Sequence, residues 1–266
     1  MRLLILLAAV PLWAFDDAGA ILKRWIEAQH QNDQRAQQYT YVEDAHWFTY
    51  EKNGQLRKNR SETSEVLFVE GLEYKKLVAR NGKPLDAREQ ARVEKEMSQT
   101  AEERRKHRRP RTPEGTISLG NQRVALGSME EFLTLFDNRL VGEEEIRRRK
   151  AWVIASTPRA GRVPISEHEK QVLCFRKELW IDEADAVKAR EILTVIGNHI
   201  FVNPGSTLTF EYEKIGPDTW HASSVILDTY RVRDKTLQPS TRTQYRLSKF
   251  QKFDVESTIT VDVPRQ

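Results

Sequence analysis

The chain has 266 residues, which suits one large domain or two modest ones. With 39% hydrophobic and 31% charged residues, only 12 Gly and 10 Pro and a mean hydropathy of -0.65, it is excluded from the collagen-like, low-complexity and polytopic membrane classes. Lys and Arg number 43 against 39 Asp and Glu, a formal net charge of +4, so any basic character that matters is local.

The N-terminus reads as a secretory signal over residues 1–20. Arg2 precedes an apolar run from Leu3 to Phe15, broken only by Pro11, and the chain then turns acidic at Asp16 and Asp17. The run is shorter than the roughly 20 residues a membrane-spanning helix needs, which favours cleavage over a permanent anchor. Two cleavage positions remain open, after Ala14 and after Ala20. No cysteine lies near either to carry a lipid anchor, so the expected location is periplasmic or secreted. The single cysteine, Cys174, sits in the apolar stretch Val172 to Phe175 and reads as a small buried side chain in a strand.

Residues 21–266 read as one domain. From Ile21 onward Leu22, Trp25, Ile26 and Ala28 fall on one face of an amphipathic helix. Gln38 to Tyr50 is rich in aromatic and β-branched residues and is followed by Asn53-Gly54 and a second strand-like run to Thr63. Asn-Gly between two such runs indicates a hairpin, because both central residues of a type I′ turn take positive φ. Ser64 to Leu72, Tyr74 to Ala79 and a second Asn81-Gly82 repeat the pattern, giving an antiparallel meander. A charged helical insertion follows at about 86–116. It opens with a capping-box pattern at Asp86 and Glu89 and runs to about Lys106 with a thin apolar face, so it should be mostly solvated. Its basic end, Arg104, Arg105, Lys106, Arg108, Arg109 and Arg111, fits contact with an anionic membrane surface or an acidic envelope partner, or a solvated helix end. Export argues against nucleic acid.

Ser128 and Glu131 form another capping-box pattern, and Met129, Phe132, Leu133 and Phe136 give the helix from Ser128 to Phe136 a strongly apolar face. Strand character returns at Trp152 to Ile154, Val172 to Phe175 and Leu179 to Ile181. A polar turn at Asp182 to Asp185 leads to Ala186–Ile196, ambiguous between helix and strand but placed as strand by its neighbours. Ser206 to Glu213 alternates cleanly, with Leu208, Phe210 and Tyr212 on one face. Trp220 to Arg233 and Arg242 to Phe253 supply two long final strands. Nine to eleven strands and three helices make an α+β fold, a large antiparallel sheet partly covered by helices.

Chemical motifs are absent from the sequence: no glycine-rich phosphate loop, no His-Glu-x-x-His and no Gly-x-Ser-x-Gly. The six histidines show no pairing at metal-ligand spacing. Glu167, Glu169, Asp182, Glu183 and Asp185 read as charged turns rather than an acid/base dyad. No cofactor, no metal and no catalytic residue is expected. The load of aromatic side chains on a long sheet suggests an apolar face that a helix plugs and an apolar ligand displaces. On that reasoning Phe132, Phe136, Phe210 and Tyr212 are the candidate ligand-binding residues.

The order of elements resembles the LolA-like lipoprotein-localisation superfamily: an exported chain, an opening amphipathic helix, hairpins such as Thr63 to Gly71, the segment Glu178 to Asp182 and a run of long C-terminal strands. The resemblance implies a half-open antiparallel β-barrel whose helices cover the concave face and whose apolar cavity takes acyl chains of lipids or lipoproteins without a cofactor. The expected function is an extracytoplasmic carrier involved in outer-membrane lipoprotein sorting, partnered by acyl lipid or lipoprotein. An envelope sensor or protein-interaction module is the alternative, and a hydrolase with a site assembled through space is the third.

Overall fold

The computed structural model describes residues 14–106, 116–119, 122–200 and 202–253. Among them are thirteen strands and four helices. Helix α1 (Ala14–Ala36) leads into β1 (Tyr39–Tyr50), β2 (Leu56–Val69), β3 (Leu72–Arg80) and the short β4 (Lys83–Pro84), then α2 (Ala87–Lys106). A small hairpin of β5 (Thr116–Leu119) and β6 (Gln122–Ala125) precedes α3 (Met129–Leu135). After it come β7 (Phe136–Ile146), β8 (Arg149–Pro158), α4 (Glu167–Val172), β9 (Phe175–Asp182), β10 (Lys188–Val195), β11 (Thr207–Lys214), β12 (Trp220–Arg233) and β13 (Thr236–Lys252).

Eleven strands form one large antiparallel sheet, ordered β4-β3-β2-β1-β13-β12-β11-β10-β9-β8-β7. The first and last long strands pair within it, so two meanders grow outward from that seam, and β4 and β7 are its edges among the described residues. The sheet is curved and unclosed, the half-open arrangement expected. Pro239 sits within β13 where the register with β12 shifts between Thr229 and Tyr230, a bulge that tolerates its missing N–H.

Helix α1 begins earlier than its apolar periodicity suggests. Ala18, Leu22 and Trp25 are buried, and the same stripe continues through the polar Gln29 and Asn32. These two are buried because they are fully used. Gln29 accepts from Trp25 Nε1 and the Lys188 backbone N–H, and Asn32 exchanges hydrogen bonds with the Trp220 backbone. The helix thus packs Ala18, Leu22 and Trp25 onto Ile154, Leu179 and Ile181 at one end and pins β12 at the other.

The two Asn-Gly hairpins differ. At Asn81 and Gly82 both residues take positive φ, 49° and 73°, as a type I′ turn requires. At Asn53-Gly54 only Gly54 does, and the loop is wider, closed by Glu51 N–H donating to Gln55 O at 2.8 Å. The expected strand at Val172 to Phe175 is also corrected. Val172 ends helix α4, which Ser166 caps by accepting from the Glu169 N–H, and Cys174 lies in the turn before β9. Glu167 and Glu169 belong to this helix rather than to a turn.

Helix α2 is as solvated as its composition implies, burying only Val93 and Ala101. Asp86 caps it through Glu89 N–H, but the Glu89 carboxylate turns to Arg80 instead of closing the box.

Candidate functional site

The face of the sheet that carries α1 and α3 changes character across its width. Over β7 to β11 it is sealed. Gly127, between β6 and α3, has φ +90°, and a Cβ there would lie 2.9 Å from Val172 Cγ1, so the chain turns tightly against α4. Helix α3 then starts with the full capping box that Ser128 and Glu131 promise. His30 of α1 meets Glu130 at 3.3 Å and His168 of α4 meets Glu131 at 3.0 Å, tying α3 to two other helices.

Beneath α3 lies a buried cation. Phe132 and Phe136 stack at 5.8 Å, Phe132 meets Trp25 edge-on at 5.5 Å, and Lys177 Nζ sits 5.0 and 4.7 Å from the two phenylalanine ring centroids. Lys177 donates to Leu126 O, which is its hydrogen-bond acceptor in β9's packed setting. Burial pushes its amine down to about 8, against the pull of the Glu191 and Glu131 carboxylates. A strand residue flanked by Arg176 and Glu178 gives no obvious warning of this. The signal was the two-residue period that puts Lys177 with Phe175, Leu179 and Ile181.

Phe210 and Tyr212 form a second pair on β11, stacked at 6.4 Å. Phe210 packs with Val124, Leu126, Phe175, Leu193 and Leu208. Tyr212 stands against Lys188, whose Nζ is 5.2 Å from its ring, and burial pushes its hydroxyl up to about 12. Burial opposes the charge on Lys188, but the adjacent Glu191 carboxylate, at 3.0 Å, outweighs it and holds the amine above its usual value. The four candidate residues therefore stand as two pairs: Phe132 on α3 itself with Phe136, which opens β7 rather than ending the helix, and Phe210 with Tyr212 on β11.

Over β12, β13, β1 and β2 the same face is open among the described residues. Strand register sets the side chains in rows. Val225, Tyr245, Ala45 and Glu62 form one row, and Leu227, Thr243, Trp47 and Arg60 the next. Thr229, Thr241, Thr49 and Lys58 form the third. Val225 pairs with Phe210 and Leu227 with Leu208 on β11, so the apolar floor passes from beneath the cover into the open half without a break. A depression of about 280 Å³ lies there, lined by Trp47, Phe48, Thr49, Lys58, Arg60, Thr241 and Thr243.

The basic end of α2 is used locally where it is described. Arg104 donates to the carbonyls of Val69, Leu72 and Glu73, and Arg105 pairs with Glu70 at 2.6 Å. Lys106 approaches Glu102 at 3.9 Å. The Arg104 and Arg105 contacts dock α2 on the β2–β3 hairpin, while Lys106 and Glu102 pair within the helix. Arg108, Arg109 and Arg111 lie outside the described residues. Among the described residues no group of His, Cys, Asp and Glu is arranged to hold a metal ion, and no helix is long and apolar enough to cross a membrane.

No family model matches the chain, and no curated protein matches it. Solved structures are similar to it in chain trace. A DUF1329 family protein from Desulfovibrio piger is 14% identical with a TM-score of 0.39, over 91% of this chain and 95% of that one. A LolA superfamily protein from Nitrosomonas europaea is 12% identical with a TM-score of 0.36, over 90% and 94%. A domain named for outer-membrane lipoprotein sorting, from Vibrio parahaemolyticus, is 11% identical with a TM-score of 0.38, over 86% and 92%.

Proposed function

We propose that the protein is an extracytoplasmic carrier that binds acyl chains of lipid or lipoprotein on the helix-bearing face of its sheet. The observation that carries this reading is the continuity of that face. Leu208 and Phe210, buried under the β6–α3 cover, continue in register into the half-buried Leu227 and Val225 of the open half. Acyl chains laid along this floor would be held by burial, at about 0.8 kcal/mol per methylene. Phe132, Phe136, Phe210 and Tyr212 are proposed to join the binding surface when the cover shifts. No bond is made or broken in such a process, and transfer follows the greater affinity of a receiving partner. Outer-membrane lipoprotein sorting is the proposed setting.

Photo-crosslinking with a diazirine-bearing palmitate tests the reading. Label is expected on peptides of β12, β13 and β1 containing Leu227, Thr243 and Trp47. Label spread evenly over the surface, or confined to the opposite face, would overturn it.

A further inference from the structure

The open half of the inner face is asymmetric in charge. Its β12 side is apolar, with Val225 and Leu227. Its floor is small and hydroxylated, with Ala45, Thr241 and Thr243. Its β2 side ends in Arg60 and Lys58, in register with Trp47 and Thr49. The Arg60 guanidinium lies over the Trp47 ring at 4.3 Å, which fixes its plane and leaves its edge donors unspent. Among the described residues neither Arg60 nor Lys58 makes an ion pair or a side-chain hydrogen bond, whereas the carboxylate closest along the strand, Glu62, is taken by Arg80 at 3.4 Å. Two cations without counter-charge thus stand at one end of a groove whose other end is hydrocarbon, three strand spacings or about 14 Å away.

We propose that this groove binds an anionic amphiphile in a fixed direction, with Arg60 and Lys58 taking the phosphate or carboxylate head and the acyl chain crossing Thr243 toward Leu227 and Phe210. The inference rests on the acyl-binding reading and adds the ligand's charge and its polarity in the groove. The planar fork of Arg60 suits two anionic oxygens at once, while Lys58 supplies a point charge beside it. The Thr49 hydroxyl, on the same row as Lys58, is placed to donate to the same head, whereas the Thr241 hydroxyl is bonded to that of Thr229 at 2.7 Å. Trp47 covers the junction between head and chain, where a ring with an apolar body belongs.

Fluorescence titration of the full exported chain tests this with cis-parinaric acid, its neutral methyl ester and inorganic phosphate. The acid is expected to bind roughly tenfold or more tightly than the ester, a preference of the size one charge-assisted contact gives. In the double variant Arg60→Gln with Lys58→Gln, at exposed positions whose loss leaves the core intact, that preference should vanish while ester binding holds. Equal binding of acid and ester by the native chain, or a preference that survives the double variant, would overturn the head-group site and leave the acyl-binding reading standing. Displacement of the acid by inorganic phosphate at comparable concentration would also overturn it, marking a small-anion site. Binding of neither lipid would overturn the acyl-binding reading itself.

Discussion

Lys177 Nζ lies 4.7 Å from the ring centroid of Phe136, so an ammonium group occupies the seam between the β6–α3 cover and the sheet. The two aromatic faces above it and the Leu126 carbonyl offset part of its desolvation. The amine is nonetheless pushed down to about 8 by burial, and the charged neighbours that act on it are Glu191, Lys188 and Glu131.

The lowered Lys177 value has a consequence for stability. Below about pH 8 both folded and unfolded chains hold the proton and the burial penalty is fully present. Between about 8 and 10.5 the folded chain has released a proton that the unfolded chain keeps, so stability rises with pH across that window. Lys177→Met should stabilise the protein at pH 7 by up to about 3 kcal/mol and remove this part of the pH dependence. Urea melts at pH 7 and 10 for both chains measure it, and identical slopes with pH would contradict the assignment.

The turn between β9 and β10 depends on one buried carboxylate. Asp182, 1% exposed, takes two hydrogen bonds from Arg149 at 2.6 and 2.7 Å and two more from the Ala184 and Asp185 N–H groups. Arg149→Met strands that charge, and a loss of about 2 kcal/mol or more is expected in chemical denaturation. A loss below about 0.5 kcal/mol, the range of an exposed pair, would show that the pair matters little.

Removing the Ser128 hydroxyl leaves Glu131 N–H without its acceptor. In a helix of only seven residues, Ser128→Ala should lower stability by about 1 kcal/mol and loosen the cover. Stopped-flow uptake of cis-parinaric acid should then be faster than in the native chain. An unchanged rate with the expected loss of stability would mean that α3 does not gate entry.

Ala18 is 1% exposed and packs with Leu22, Trp25 and Phe132. Cleavage after Ala20 would remove it from the core, whereas cleavage after Ala14 retains it. On the proposal that a leader is removed, intact mass of the protein from an exporting host is expected to place the mature terminus ahead of Ala18. A chain beginning at Ile21 and equally stable would show that this turn of α1 is dispensable.

The strands with clean alternation were the most legible. Ser206 to Glu213 corresponds to β11, and the strand expected at Trp220 to Arg233 is β12 residue for residue. Helix α3 was visible because its cap is a local hydrogen-bonding device, written in Ser128 and Glu131. Helix α4 was missed because a six-residue helix has too little periodicity to outweigh the apolar run from Val172 to Phe175. The open groove was invisible for a different reason. Arg60 faces Trp47 across the β1–β2 hairpin that Asn53-Gly54 announces, but Trp47 faces Thr243 only through register between β1 and β13, far apart in the chain, where alternation fixes each strand's faces but not its partner's offset.

The most direct test of acyl binding is native mass spectrometry of the protein purified from an exporting host, followed by organic extraction. A co-purifying acyl lipid in roughly stoichiometric amount, displaced by added cis-parinaric acid, is expected. A clean ligand-free mass together with no uptake of the fluorescent acid would contradict the carrier reading.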